Sequence, residues 1–275
     1  MNIFKDTMSE MTYEQVEKLV EQEAIVLFPV GIIEEHGPHL PLGTDIYLAY
    51  KQAHDVWEEL NSMKIPCVIA PPFYLGGVQA LTRHFPGTFA FSKETIMACI
   101  EEYLENLDRF GLKRVVVFND HGDGLHISAI VEAIKNANRK LELQAYWMEY
   151  EYELKEHGFS GEEDYILKLT DMPFEEMFQI SKEPRDAFDV HAGAFETATM
   201  REIYPEAVRE NVLVMLEPTF LQGEQIGKWC NGAAEDKALI PNGYVGDPKG
   251  SQYIETNLKE ADRQIAMDIV NSFGK

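Results

Sequence analysis

Four short runs rich in apolar and β-branched residues alternate with segments whose apolar residues recur at three- and four-residue spacing, and this alternation limits the folds open to the chain. The runs are AIVLFPV (24–30), PCVIA (66–70), RVVVFN (114–119) and LELQAYW (141–147). The helical patterns are DIYLAYKQAHDVWEELNS, FSKETIMACIEEYLENLDRFG and LHISAIVEAIKNANRK. A strand that is apolar on both sides needs cover on both sides, so the order predicts an α/β fold with a mostly parallel sheet between helices. At 275 residues one large core is expected, a single domain over residues 1–275. The charged and aromatic stretch 149–189 lacks the Gly, Ser or Pro run of a linker and is read as an insertion of short helices and loops beside the substrate site. Further helices are expected after HAGAFETATMREIYP and over roughly 251–273.

Charge and cysteine usage narrow the function. Against 24 basic residues stand 47 acidic ones, a formal net charge of -23, which would repel a phosphate backbone and speaks against nucleic acid as a partner. No run approaches ~18 apolar residues and the start, MNIFKDTMSEMTYEQ, has no basic and apolar leader pattern, so no membrane partner is expected. Cys67, Cys99 and Cys230 are scattered and odd in number, which argues against a disulfide framework and for a reducing, cytoplasmic setting.

Ligands of open parallel sheets bind beyond the carboxyl ends of the strands, and the polar clusters of this chain fall there. GIIEEHGPHLPLGTD follows the first run, PPFYLGGVQALTRHFPGT the second and FNDHGDGLH the third. In an extended segment residues two apart share a side, so Glu34 and His36 project together while Glu35 faces away. Asp45 follows nine residues later at a helix start, where it is either a cap or a ligand. Carboxylate, imidazole and carboxylate suit zinc, manganese or iron, and an aspartate can bridge two ions. FNDHGDGLH adds His121 and Asp123, and HAGAFETATM adds His191 and Glu196, each with a plain alternative as turn, cap or first-turn residue.

Together, PVGIIEEHGPHLPLGTD, HFPGT, NDHGDG and HAGAFETATM resemble, in order, the motifs of the creatininase family of metal-dependent amidohydrolases, and GYVGDPKG resembles its C-terminal GxxGDP segment. The resemblance implies a three-layer αβα sandwich and two adjacent divalent ions, Zn, Mn or Fe. Carried over by motif, Glu34 and His121 would bind one ion, His36 the other, and Asp45 both. Asp123 stands where creatinine-hydrolysing members have a ligand glutamate, and Glu196 is a further candidate ligand. His191, Asp123 and Glu196 are the candidates for the proton shuttle. Substrate contacts are expected from Trp147, Phe188, Gly122 and His84. The family's aromatic box is incomplete here, with Gly122 where a Tyr stands and Phe188 near a Trp position, so creatinine itself is not the expected substrate.

The resemblance thus implies a hydrolase of a small cyclic amide or related C–N bond, working through a hydroxide shared by the ions. Two alternatives stand beside it: opening of a cyclic diketone derived from inositol, and a catalytically silent metal-binding protein. Family members form ring-like homohexamers, so a homo-oligomer is expected by resemblance.

Overall fold

A computed structural model of the chain describes residues 1–186 and 188–274. Its helices are α1 (Tyr13–Glu21), α2 (Thr44–Ser62), α3 (Lys93–Phe110), α4 (Gly124–Lys140), α5 (Glu151–Glu156), α6 (Phe174–Met177), α7 (Ala194–Ile203), α8 (Glu210–Leu213), α9 (Glu224–Asn231) and α10 (Lys259–Ser272). Its strands are β1 (Ile25–Val30), β2 (Cys67–Ile69), β3 (Arg114–Asn119), β4 (Gln144–Glu149), β5 (Ile166–Lys168), β6 (Phe178–Ile180) and β7 (Ile254–Thr256).

The first five strands form one sheet in the order β2-β1-β3-β4-β5, every pair parallel. Val30 lies opposite Asn119, and Val117 opposite Trp147, so the carboxyl ends share one edge. Alternation along the strands splits the core into two apolar layers. Val26, Phe28, Val115, Val117 and Trp147 face α3 and α4, whose Ile100, Leu104, Ile130 and Ile134 cover them. Ile25, Leu27, Val116 and Phe118 face α2 and α10, meeting Val56, Leu60, Ile265 and Ile269. The chain therefore has the helix–sheet–helix layering expected from its alternating runs, and no described helix is long and apolar enough to cross a membrane.

Local signals fix the ends of these elements. Ser92 caps α3 by accepting from the Thr95 amide, and Gly111 ends that helix in the left-handed region at φ 98°. The stretch 149–189 departs from its reading as short helices and loops. It supplies β5, a fifth strand of the main sheet, and β6, which pairs antiparallel with β7. Each is three residues long, too short to leave a periodicity that sequence can show. Ala187, within that stretch, lies outside the described residues.

Candidate metal centre

The loop from β1 to α2 carries the first ligands. Its mouth is closed by the Glu34 amide donating to the Leu42 carbonyl oxygen at 2.8 Å, and Gly37 turns it at φ 65°. Gly43, not Asp45, is the N-cap of α2, and Asp45 sits in the first turn with its side chain free of capping. Its carboxylate spans two histidines: Oδ1 lies 3.0 Å from His36 Nε2 and Oδ2 3.5 Å from His121 Nδ1. Around that bridge stand two triads with donor atoms close enough to share an ion, Glu34, Asp45 and His121 on one side and His36, His191 and Glu196 on the other. Glu34 Oε2 is 3.2 Å from His121 Nδ1, and Glu196 Oε1 3.3 Å from His36 Nε2.

Each histidine is held from behind by a backbone carbonyl. His36 Nδ1 donates to Glu34 O at 3.0 Å, His121 Nε2 to Gly77 O at 3.1 Å and His191 Nε2 to Glu35 O at 2.8 Å. That arrangement fixes each tautomer and leaves the other ring nitrogen for the centre, as metal-ligating imidazoles require. His191 is brought in by an antiparallel bridge to Val245 in GYVGDP. The Asp189 carboxylate then starts α7 by accepting from the Ala194 and Asp247 amides. A side chain at Gly193 or Gly246 would collide with that carboxylate at 2.1 or 2.4 Å, which accounts for both glycines. His39, fully buried, ties the first loop to α7 through Thr197 at 2.9 Å, a contact that no periodicity in the sequence announces.

The electrostatics ask for positive charge. Burial disfavours the charged form of His36, yet Asp45 and Glu196 outweigh it and hold its pKa well above 6.5. His121 is raised in the same way, with Glu34 and Asp45 overcoming burial. For Glu196 burial pushes upward but His36 carries the carboxyl down to about 2. Glu34 Oε2 and Asp45 Oδ2 are buried with no hydrogen-bond partner among the described residues, an expensive state for carboxylate oxygens unless a cation is their partner. Glu35, which sequence leaves without a role, is buried behind the centre, and burial pushes its pKa up to about 7.

Asp123 does not join either triad. Its Oδ1 accepts from the Leu125 amide as the N-cap of α4, and its Oδ2 from the amides of Gln79 and Ala80, at 2.9, 2.8 and 3.2 Å. The expected ligand and proton carrier is thus a helix cap, a post that suits a side chain one methylene shorter than glutamate. Trp147, expected at the substrate, is fully buried in the layer under α3 and α4. The strand's alternation turns it away from the cleft. His84 binds the Gly232 carbonyl oxygen at 2.6 Å and does not line the cleft either.

Above the triads opens a cleft of about 1250 Å³, lined among others by Gly122, Phe188, Asp120, Glu149 and Trp229. Phe188 packs edge-on to Trp229 with ring centroids 6.2 Å apart. Nothing lies within 4 Å of where a Gly122 side chain would begin, so that position leaves space for a ligand.

A parallel sheet carrying two carboxylate-bridged, histidine-bearing triads at its carboxyl edge defines a metal-dependent hydrolase. The chain belongs to the creatininase family, whose model, creatinine amidohydrolase, matches residues 9–255. It is 25% identical to a creatinine amidohydrolase of Pseudomonas putida over 211 residues, 73% of each chain. It is 22% identical to a 3-dehydro-scyllo-inosose hydrolase of Thermotoga maritima over 255 residues, 86% of this chain and 73% of that one. A mycofactocin precursor peptide peptidase of Mycobacterium ulcerans is 26% identical over 234 residues, 84% and 77% of the two chains. A crystal structure of creatininase superposes over 98% of both chains with a TM-score of 0.69 at 22% identity. Creatininases described as manganese and Zn–Zn forms superpose with TM-scores of 0.60 and 0.67.

Proposed function

We propose that the chain hydrolyses a C–N bond of a small amide, cyclic or peptide-like, with two divalent ions held side by side by the six clustered residues. The observation that carries this is the Asp45 carboxylate, which faces one triad with each oxygen, Oδ2 lacking any hydrogen-bond partner among the described residues. Glu34, His121 and one Asp45 oxygen would hold the first ion; His36, Glu196 and the other oxygen would hold the second, with His191 in reach of it. The donor set of carboxylates and imidazoles fits zinc, manganese or iron. Bound there, the ions would polarise the scissile carbonyl and make water acidic enough to act near neutral pH.

The chain's own residues supply orientation and proton handling. The backbone carbonyls of Glu34, Gly77 and Glu35 hold the three imidazoles in one tautomer, so no reorientation is needed as charge develops. His191 and Glu196 stand nearest to carry a proton to the departing nitrogen once Asp123 is committed to α4. Phe188 and Gly122 form part of the wall against which the substrate rests.

Two relatives named for C–N hydrolysis, the amidohydrolase and the peptide peptidase, support this reading. Opening of an inositol-derived cyclic diketone is the second reading, favoured by the Thermotoga maritima hydrolase aligning over 86% of this chain. Zinc- or manganese-loaded protein assayed against cyclic amides, short peptides and inososes separates them. Turnover confined to inososes would overturn the C–N reading, and no bound metal under any loading would sink both hydrolase readings. A homo-oligomer belongs to the same proposal, and light scattering on the purified protein measures it.

A further inference from the structure

The stretch FNDHGDGLH begins with an asparagine in second place and ends on a histidine, and neither has a part in the centre described above. His126, in the first turn of α4, is fully buried, and its ring stands edge-on to that of His121 with centroids 5.0 Å apart. Four hydrogen bonds join these residues in a closed circuit. His121 Nε2 donates to Gly77 O at 3.1 Å, and the Gly77 amide donates to His126 Nδ1 at 3.4 Å, the longest of the four. His126 Nε2 then donates to Asn119 Oδ1 at 3.0 Å, and Asn119 Nδ2 to the His121 carbonyl oxygen at 2.9 Å.

The main-chain groups in the circuit leave one assignment of hydrogens. The Gly77 amide can only donate, so His126 Nδ1 accepts and the neutral ring carries its proton on Nε2. The His121 carbonyl can only accept, which turns Asn119 Nδ2 towards it and Oδ1 towards His126. The Gly77 carbonyl also only accepts, so His121 keeps its proton on Nε2 and turns Nδ1 to Glu34 and Asp45, 3.2 and 3.5 Å away. Flipping the Asn119 amide or moving the His126 proton would break two of the four bonds at once. A side chain at Gly77 would meet Leu125 Cδ2 at 2.6 Å and the Phe91 carbonyl oxygen at 2.8 Å, so glycine is what lets this backbone reach both histidines.

Resting on the hydrolase reading above, we infer that His126 is a positioning residue for the first ion: with Asn119 it locks the Gly77 backbone and the His121 main chain, and so presents His121 Nδ1 to the ion held with Glu34 and Asp45. His126 does not line the cleft, so it acts on the substrate only through His121. The circuit includes none of His36, His191 and Glu196, and its loss falls mainly on one of the two ions.

Protein labelled with 15N-histidine reports the proton and the metal on each ring. Near neutral pH, His126 of metal-free wild type should carry its proton on Nε2 alone. In titrations with zinc against a competing chelator, His126→Phe, which keeps an aromatic ring in place, should raise the free zinc needed to move the His121 Nδ1 signal by about tenfold or more. The His36 signal should shift far less. His126→Asn, whose side-chain oxygen can take the place of Nδ1 and accept from Gly77, should recover most of that loss although it fills the buried space less well. A packing role alone predicts the reverse order. Zinc affinity at His121 unchanged in His126→Phe, or a Phe variant binding zinc as tightly as the Asn variant, overturns the inference. So does a wild-type His126 protonated on Nδ1, a measurement that decides even where a variant fails to fold and that leaves the hydrolase reading standing if zinc is bound. Wild type that takes up no zinc refutes the hydrolase reading instead.

Discussion

Asp45 and Asp123 both stand at the amino end of a helix, and their partners separate their roles. Asp45 leaves capping to Gly43 and turns its two oxygens towards two histidines, whereas Asp123 spends both of its own on three backbone amides. Asp123→Ala should therefore cost about 1–2 kcal/mol of stability through the lost cap and leave metal content unchanged. Thermal melting together with elemental analysis checks this, and loss of metal in that variant would restore Asp123 as a ligand. At Glu35 the sign of the pH effect follows from burial. A carboxyl raised from 4.5 to about 7 binds more protons folded than unfolded, so its share of stability is full below about 4.5 and is lost as pH rises through 7. Denaturant melts of metal-free wild type and Glu35→Gln between pH 5 and 8 should diverge in that direction, the variant losing less stability as pH rises.

The elements themselves were largely legible. RVVVFN predicts β3 to the residue, and the long amphipathic patterns predict α2, α3 and α4 to within two residues at each end. LELQAYW misplaces β4 by up to three residues, because Leu143 is buried and Leu141 packs against the same layer whether or not they belong to the strand. The three-residue strands β5, β6 and β7 gain their place from pairing partners far along the chain, which no local pattern records. At the site, the alternation that puts Glu34 and His36 on one side was readable, and the motif order added Asp45, His121 and Glu196. Which nitrogen of each histidine faces the centre depends on backbone carbonyls, and for His121 and His191 these, Gly77 and Glu35, come from segments far away in the sequence. Trp147 shows the cost of reading by position alone. Trp147→Phe should lower the melting temperature through lost packing in the layer under α3 and α4, while leaving the Michaelis constant of any substrate unchanged. A raised Michaelis constant would return Trp147 to the cleft.

For the whole molecule, the charge of -23 is not spread evenly in its consequences. Much of it lies in exposed helices such as α3 and in surface pairs, where single ion pairs contribute little. The part that bears on function is concentrated at the carboxyl edge of the sheet, where Asp45 stands with Glu34 and His121 and where Glu34, Glu196, Asp120, Glu149 and Glu153 line one cleft. The two apolar layers hold that edge in place, and the first loop and α7 close on it through His39 and Thr197. The central claim is that this edge holds two ions bridged by Asp45, and counting metal in purified, zinc-loaded protein tests it most directly. Wild type should hold about two equivalents, His36→Ala about one, and Asp45→Ala less than one. Wild-type protein without metal, or both variants retaining two equivalents, would contradict it.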